Sequence, residues 1–419
     1  KKAFHQALYY SFAECHAINK HDMEPKLFII FCLLIPTVLS KCTINVAQTQ
    51  LSRSVYDFSV ELLSRIAEEN ENHFVTSTFS SWTLLATISL GANGTTLTQL
   101  RTVLKLHKNK CFNHKYLNIT KDISVSNSEV TVERSSAVFA DEKLNIKKKF
   151  VKKLARKELS EIKPISFEDV DKAVAVINDY VSDTTHNIIE EMVSASDLEN
   201  VQMMIIDAIF FKGAWQTPFK VTDIQTFYNE KGDPVGHVTM MHLLGSVNSA
   251  YINQINSLVL ELPYGNDGRY SMLIILPDDN IDIPIVIQSL KKISLVTVFK
   301  QLENEYTAVA IPKFKISSDL DNLKELLIDM GLKDMFDSAR ASFPDISDTT
   351  ALYVTSYMQK AFIEVNEEGT TASAATSAGF GSRSGPLKFT ADKPFLYMVV
   401  DKKLLVPLFV GAYSKPSEI

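Results

Sequence analysis

Apolar residues follow two rhythms along this chain. Leu51, Val55, Phe58, Leu62 and Ile66 recur three or four apart, which predicts an amphipathic helix over 51–67. Residues 82–90 (WTLLATISL) are apolar almost throughout, predicting a helix buried on every side and ended by Gly91. Leu97, Leu100, Val103 and Leu104 mark another helix. The texture then shortens to strand-length runs bounded by Gly, Pro, Asn or Asp: Ser136–Ala140, Met203–Phe211, Leu258–Leu262, Tyr270–Leu276 and Ala308–Ile311. A helix is expected again at 319–330, and the chain closes on strands at 395–400 and 406–413. Helices gather early and strands dominate later, so the order predicts an α+β fold rather than regular βαβ alternation.

One helix is basic. In KKKFVKKLARKEL (147–159), Phe150, Val151 and Leu154 fall on one face, and Lys149, Lys152, Lys153 and Arg156 form a stripe opposite. A solvated outer face accounts for that stripe, and so does a site for a sulfated glycosaminoglycan. Spacing does not choose between them.

Composition adds bounds. Of 419 residues, 46% are hydrophobic and 22% charged, enough apolar material for a sizeable core and unlike a disordered or collagen-like chain. A net charge of −6 gives no whole-protein field toward nucleic acid or an anionic membrane.

Near the N-terminus, Lys26 precedes an apolar stretch from Leu27 to Ile35, Pro36 breaks it, and small residues reach Ser40. The segment 23–40 is therefore expected to be a secretory signal peptide, which makes the protein secreted and extracellular. Residues 1–22 precede Met23 and are expected to be extra upstream sequence. Of the four cysteines, Cys15, Cys32, Cys42 and Cys111, cleavage after Ser40 leaves Cys42 and Cys111, either paired or free. None has CxxC or metal-ligand spacing, so no metal or redox cofactor is expected. The sequons at Asn93 and Asn118 agree with a secreted glycoprotein.

The segment that carries chemistry is 367–388, EEGTTASAATSAGFGSRSGPLK. From Gly369 to Ser382 it has no charge, no proline and no large side chain except Phe380. At a period of two, Thr370, Ala372, Ala374, Thr376, Ala378 and Phe380 share one uncharged, mostly small face, suited to a strand not yet part of a sheet. Arg383, held between serines and glycines, is good bait for a trypsin-like pocket, where a guanidinium pairs bidentately with a carboxylate.

These residues resemble the serpins. AFIEVNEEGTTASAAT (361–376) is similar to the hinge of inhibitory members, and DAIFFKGAWQTPF (207–219) resembles the family's strand-to-loop signature with Trp215 in place. Segments 258–278, 311–336 and 391–416 match in the same order, so the resemblance spans about 50–416. It implies a single domain over 50–419, a large central mixed sheet with smaller sheets, an exposed reactive-centre loop, and a monomer. It implies a hinge of Glu367, Glu368, Gly369, Thr370, Thr371, Ala372, Ser373, Ala374 and Ala375, and a reactive bond Arg383–Ser384 at the family's usual distance from Gly369. The partner implied is a trypsin-like serine protease held covalently by an inhibitor that is consumed, not by a catalyst. Ser77, Ser80, Asp207, Trp215 and Gln359 fall at positions that govern sheet opening in the family.

Asp207 and Gln359 replace the usual Asn and His, Thr78 replaces a proline, and Thr371 replaces a common Glu. A serpin-fold carrier, chaperone or storage protein is the alternative, although its hinge would commonly hold bulky, charged or proline residues. A hydrolase is remote: GSRSG (381–385) has Arg383 where a nucleophile elbow needs serine. His237 and His242, beside Met240 and Met241, are expected to be structural residues of a strand and turn.

Overall fold

The computed structural model describes residues 42–120, 125–126, 129–155, 161–349, 352–368 and 386–416. The chain forms two compact units, Lys1–Val46 and Ala47–Ile419. In the first unit the described residues are 42–46, where Thr43 Oγ1 accepts from the Val46 amide at 3.3 Å. The upstream sequence 1–22 and the signal-like segment 23–40 lie outside the described residues. Cys42 and Cys111 are each disulfide-bonded.

In chain order the described helices are α1 (Ile44–Glu69), α2 (Thr78–Ile88), α3 (Gly94–Val103), α4 (Lys110–Ile119), α5 (Lys148–Ala155), α6 (Val170–Thr184), α7 (Ile283–Leu290), α8 (Leu295–Gln301) and α9 (Leu323–Asp329). The strands are β1 (Phe74–Thr76), β2 (Val125–Ser126), β3 (Val130–Asp141), β4 (Glu161–Ile165), β5 (Met203–Gly213), β6 (Val221–Tyr228), β7 (Pro234–Ile252), β8 (Ser257–Tyr264), β9 (Tyr270–Pro277), β10 (Glu303–Pro312), β11 (Phe314–Leu320), β12 (Ser356–Val365), β13 (Leu387–Thr390), β14 (Phe395–Asp401) and β15 (Val406–Tyr413). This is the expected α+β architecture. Its described strands form two mixed sheets of nine and six strands, and of the residues expected to govern opening, Asp207 and Gln359 belong to the smaller one.

That six-stranded sheet runs β11-β12-β5-β3-β2, with β4 on β3. β12 and β5 are parallel neighbours, from Ser356 opposite Met204 to Ile363 opposite Phe211. Strand parity gives each face its own cover. Ala137, Met204, Ile206, Ala208 and Met358 point to one side, where they pack with Ile177 and Val181 of α6. Ser136, Asp207 and Gln359 point to the other side, toward α2. β5 is thus buried on both faces, and its run MMIIDAIFF is apolar except at Asp207.

α2 is the buried helix expected from 82–90, and it begins earlier, at Thr78. Every residue in it is buried, so its hydroxyls need protein partners, and two find them within the helix. Thr83 Oγ1 donates to Phe79 O at 2.9 Å and Thr87 Oγ1 to Thr83 O at 2.8 Å. Gly91 follows because a Cβ there would lie 2.2 Å from Ile346 Cγ1. On β15, a Cβ at Gly411 would strike the Phe74 carbonyl oxygen at 2.4 Å, so β1 pairs there only against glycine.

Several expected elements shift. The helix placed at 319–330 starts only at Leu323, because Asp319 and Leu320 complete the β11 pairing with Lys360 and Gln359. His237 and His242 both lie within β7 and not at a turn, and His242 Nε2 meets Asp223 Oδ1 at 2.7 Å. On α5, Val151 is exposed, so it is not part of the buried face formed by Phe150 and Leu154.

His73 precedes β1 and packs at a tilt against Tyr413, with ring centroids 5.3 Å apart. Burial, with Lys415 adding like charge, pushes its pKa down to about 4. The unfolded chain takes that proton near pH 6.5. Between these values the unfolded state binds more protons, so stability is complete above pH 6.5 and is lost as pH falls toward 4. Urea midpoints at pH 7 and pH 5 should therefore differ more in the parent than in His73→Phe. Equal pH dependence in the two proteins would contradict a neutral buried His73.

Candidate functional site

β register sets one row of polar side chains across the centre of the six-stranded sheet. Ser136 of β3 lies opposite Asp207 of β5, which lies opposite Gln359 of β12. Asp207 is fully buried. Its Oδ1 accepts from Ser80 Oγ at 2.5 Å and Ser136 Oγ at 2.6 Å, and its Oδ2 accepts from Gln359 Nε2 at 2.8 Å. Three donors supply the hydrogen bonds that a buried carboxylate needs.

Gln359 carries the row into α2. Its Nε2 lies 3.0 Å from both Ser77 O and Ser81 Oγ, and its Oε1 accepts from the Ser77 amide at 3.0 Å and from Thr76 Oγ1 at 2.5 Å. Ser77 is the N-cap of α2: its hydroxyl accepts from the Ser80 amide at 3.2 Å and donates to Leu408 O on β15 at 2.8 Å. Thr78, where a proline was the expected pattern, donates to Ser59 Oγ at 2.6 Å, a bond that proline could not make. The cluster therefore ties β5 and β12 to β1, β15 and α2.

Trp215 is placed elsewhere, just beyond the end of β5. Its ring stacks on Tyr264 at 4.3 Å, and its Nε1 donates to Asn366 O at 2.8 Å. The Phe219 amide donates to Glu367 O at 3.0 Å, and Lys313 Nζ pairs with Glu367 Oε2 at 3.0 Å. Burial pushes the Glu367 carboxyl up, but its backbone hydrogen bond and Lys313 outweigh that and hold it below the usual carboxylate range. Glu367 is thus a fastened start to the hinge, and Glu368 beside it is exposed. A cavity of about 450 Å³ opens at this end of β5 and β12, lined by Phe210, Trp215, Tyr264 and Phe362 among others. Hinge residues Gly369, Thr370, Thr371, Ala372, Ser373, Ala374 and Ala375, and the bond Arg383–Ser384, lie outside the described residues.

The other candidates are surface features. Asn93 caps α3 and is exposed, as is Asn118 on α4. Lys149 and Lys152 are exposed, but Lys153 is partly buried and donates to Leu90 O at 3.3 Å, so the basic stripe is interrupted. Arg156 lies outside the described residues. Sequence reading missed Thr76, Ser81 and Ser136 in the polar cluster, and Lys313 and Asn366 at the hinge. Strand parity would have placed Ser136 beside Asp207 once the β3–β5 register was known, but register is set by pairing partners that sequence does not reveal.

Asp207 can only accept, and Gln359 meets it with a donor. Asp207→Asn would put an amide or a weaker neutral acceptor there, and Gln359→His would lose acceptors for Thr76 and Ser77. Each change should cost about 1–3 kcal/mol in denaturant unfolding. Asp207→Asn combined with Gln359→His should cost less than the sum, because the pair is in contact. Additive costs would mean that the two side chains do not act as a unit.

A family model described as Serpin (serine protease inhibitor) matches residues 53–416. Serpin B9 of Homo sapiens is 28% identical over 376 residues, covering 87% of this chain and 99% of its own length. The leukocyte elastase inhibitor of Xenopus tropicalis is 32% identical over 379 residues, covering 87% and 99%. The solved structure of native protease nexin-1 with heparin is similar at a TM-score of 0.78 and 28% identity, over 88% of this chain and 100% of that one.

Proposed function

This chain belongs to the serpin family of serine protease inhibitors, and from that premise we propose that it traps a trypsin-like protease covalently at Arg383–Ser384. The protease serine oxygen attacks the Arg383 carbonyl carbon. The Arg383–Ser384 bond then breaks, the Ser384 nitrogen takes a proton as a new amino terminus, and Arg383 stays esterified to the enzyme. The segment from Thr370 enters the six-stranded sheet and draws the enzyme with it. Loop insertion of this kind is a known serpin motion.

One observation carries this reading. β5 and β12 are parallel and adjacent, and β12 leads directly to Glu367 at the end where β5 also finishes. A chain turning back from that point would run antiparallel to both strands and could pair with each. Entry requires their separation to grow from about 4.8 Å to about twice that, parting Asp207 from Gln359. Roughly a dozen new ladder bonds, at about 0.5–1.5 kcal/mol each, give on the order of ten kcal/mol to drive the motion. The uncharged Thr370-to-Phe380 face supports entry without desolvating a charge.

Secretion forms part of the proposal. It is supported by the signal-like segment 23–40 and by the disulfide-bonded state of Cys42 and Cys111, which suits an oxidising compartment.

Mixing the protein with trypsin should give a band that survives denaturing, reducing electrophoresis, and a released peptide beginning at Ser384. Clean cleavage without that band would point to the carrier or storage alternative. Thr370→Arg should convert the inhibitor to a substrate, and Arg383→Ala should abolish complex formation with trypsin while leaving the unfolding midpoint unchanged. Stable complexes from Thr370→Arg at parent stoichiometry would contradict insertion.

A further inference from the structure

A second cavity, of about 240 Å³, lies among α2, α3, α4 and α5, away from the polar cluster and the hinge. Its walls include Trp82, Leu90, Leu97, Leu106 and Leu117. Leu90, Leu97 and Leu106 are only half-buried, so apolar surface faces this space without cover. Trp82 is held in place by its Nε1, which donates to Leu104 O at 3.0 Å, and by the neighbouring Tyr116 ring at 6.3 Å.

The polar lining is one-sided. Arg101, Lys110 and Lys153 border the cavity, against a single carboxylate, Asp345. Arg101 makes no ion pair among the described residues. Among the described residues, the Lys153 ammonium donates only to the neutral carbonyl of Leu90. Burial pushes the Lys153 pKa down; Asp345 opposes this, while Lys149 and Lys110 add to it. Positive charge is therefore concentrated beside an apolar hollow without enough negative charge to balance it. A third feature is Asn113: its Nδ2 donates to His107 O at 2.9 Å, while its buried Oδ1 has no hydrogen-bond partner among the described residues.

We propose that this cavity binds a small amphipathic anion, with its carboxylate or sulfate at Arg101 and Lys153, its apolar body against Trp82 and the leucines, and a hydroxyl donating to Asn113. Each part of the ligand answers one unmet need of the walls: cations that outnumber the one carboxylate, apolar surface without cover, and a buried acceptor without a donor among the described residues. The volume restricts the ligand to about the size of one substituted aromatic ring or a short chain. Binding here does not depend on the bait bond or on sheet opening.

The probe is para-hydroxyphenylpropanoate, titrated by calorimetry at low ionic strength, where such charge pairing is least screened. The expected result is saturable binding at one site per chain. Arg101→Glu, a surface change that leaves the unfolding midpoint near the parent value, should weaken it at least tenfold. Phenylpropanoate, lacking the hydroxyl, should bind several-fold more weakly, and para-ethylphenol, lacking the anion, at least tenfold more weakly. Ala86→Phe, which fills the cavity from α2, should remove binding, and Lys153→Met gives a second reading of the charge if that variant fails to fold. Non-saturable binding, equal affinity in Arg101→Glu, or para-ethylphenol binding as tightly as the acid would overturn the proposal.

Discussion

The hydrogen bond from Gln359 to Asp207 holds the centre of the six-stranded sheet, and most of the surrounding architecture serves to position it. Parallel pairing of β12 with β5 brings the two residues opposite each other, and β3 adds Ser136 on the far side. α2 then contributes its capping residue Ser77 and its first turn, which complete the coordination of both side chains. Ser77 also reaches Leu408 on the second sheet, so a change at the strand junction is felt by two sheets and a helix together.

This arrangement sets a balance between closure and opening. The sheet's α6 side is an apolar cluster, which resists separation through buried area. The α2 side is polar, and its hydrogen bond from Gln359 to Asp207 spans β5 and β12. An all-apolar junction would have no such directional registration. A junction with an unpaired buried carboxylate would be too costly to close. Asp207 with Gln359 meets the geometric demand with a carboxyl acceptor and an amide donor, while Ser80 and Ser136 complete the acceptor's partners. At the end of the same two strands, Trp215, Phe219 and Lys313 fasten the chain as far as Glu367, so the segment that follows starts from a fixed point.

Much of the fold was readable from sequence because its signals are local. The helix around 51–67, the buried helix at 82–90 and the strands at 395–400 and 406–413 all announce themselves by period or by continuous apolar runs, and all are present. The helix expected from 319 failed at its start because Asp319 and Leu320 alternate as well in a strand as in a helix turn, and pairing with β12 decided the matter. Val151 departs for a related reason: it is apolar and adjacent to buried Phe150, but its angle on the helix points it outward. The polar cluster was half legible. Asp207, Gln359, Ser77 and Ser80 stood out through family resemblance, whereas Thr76, Ser81 and Ser136 are ordinary residues until three strands and a helix meet.

The central claim is that β5 and β12 form a closed junction able to accept the segment after Glu367. Its most direct measurement is hydrogen exchange of the amides in 203–213 and 356–365, together with the unfolding temperature, before and after a catalytic amount of a protease that the chain does not trap cuts between 369 and 385. The account predicts that the cut protein gains strong protection in both strands and unfolds at a much higher temperature, because the freed segment completes the sheet. Unchanged protection and an unchanged or lower unfolding temperature after a complete cut would contradict it.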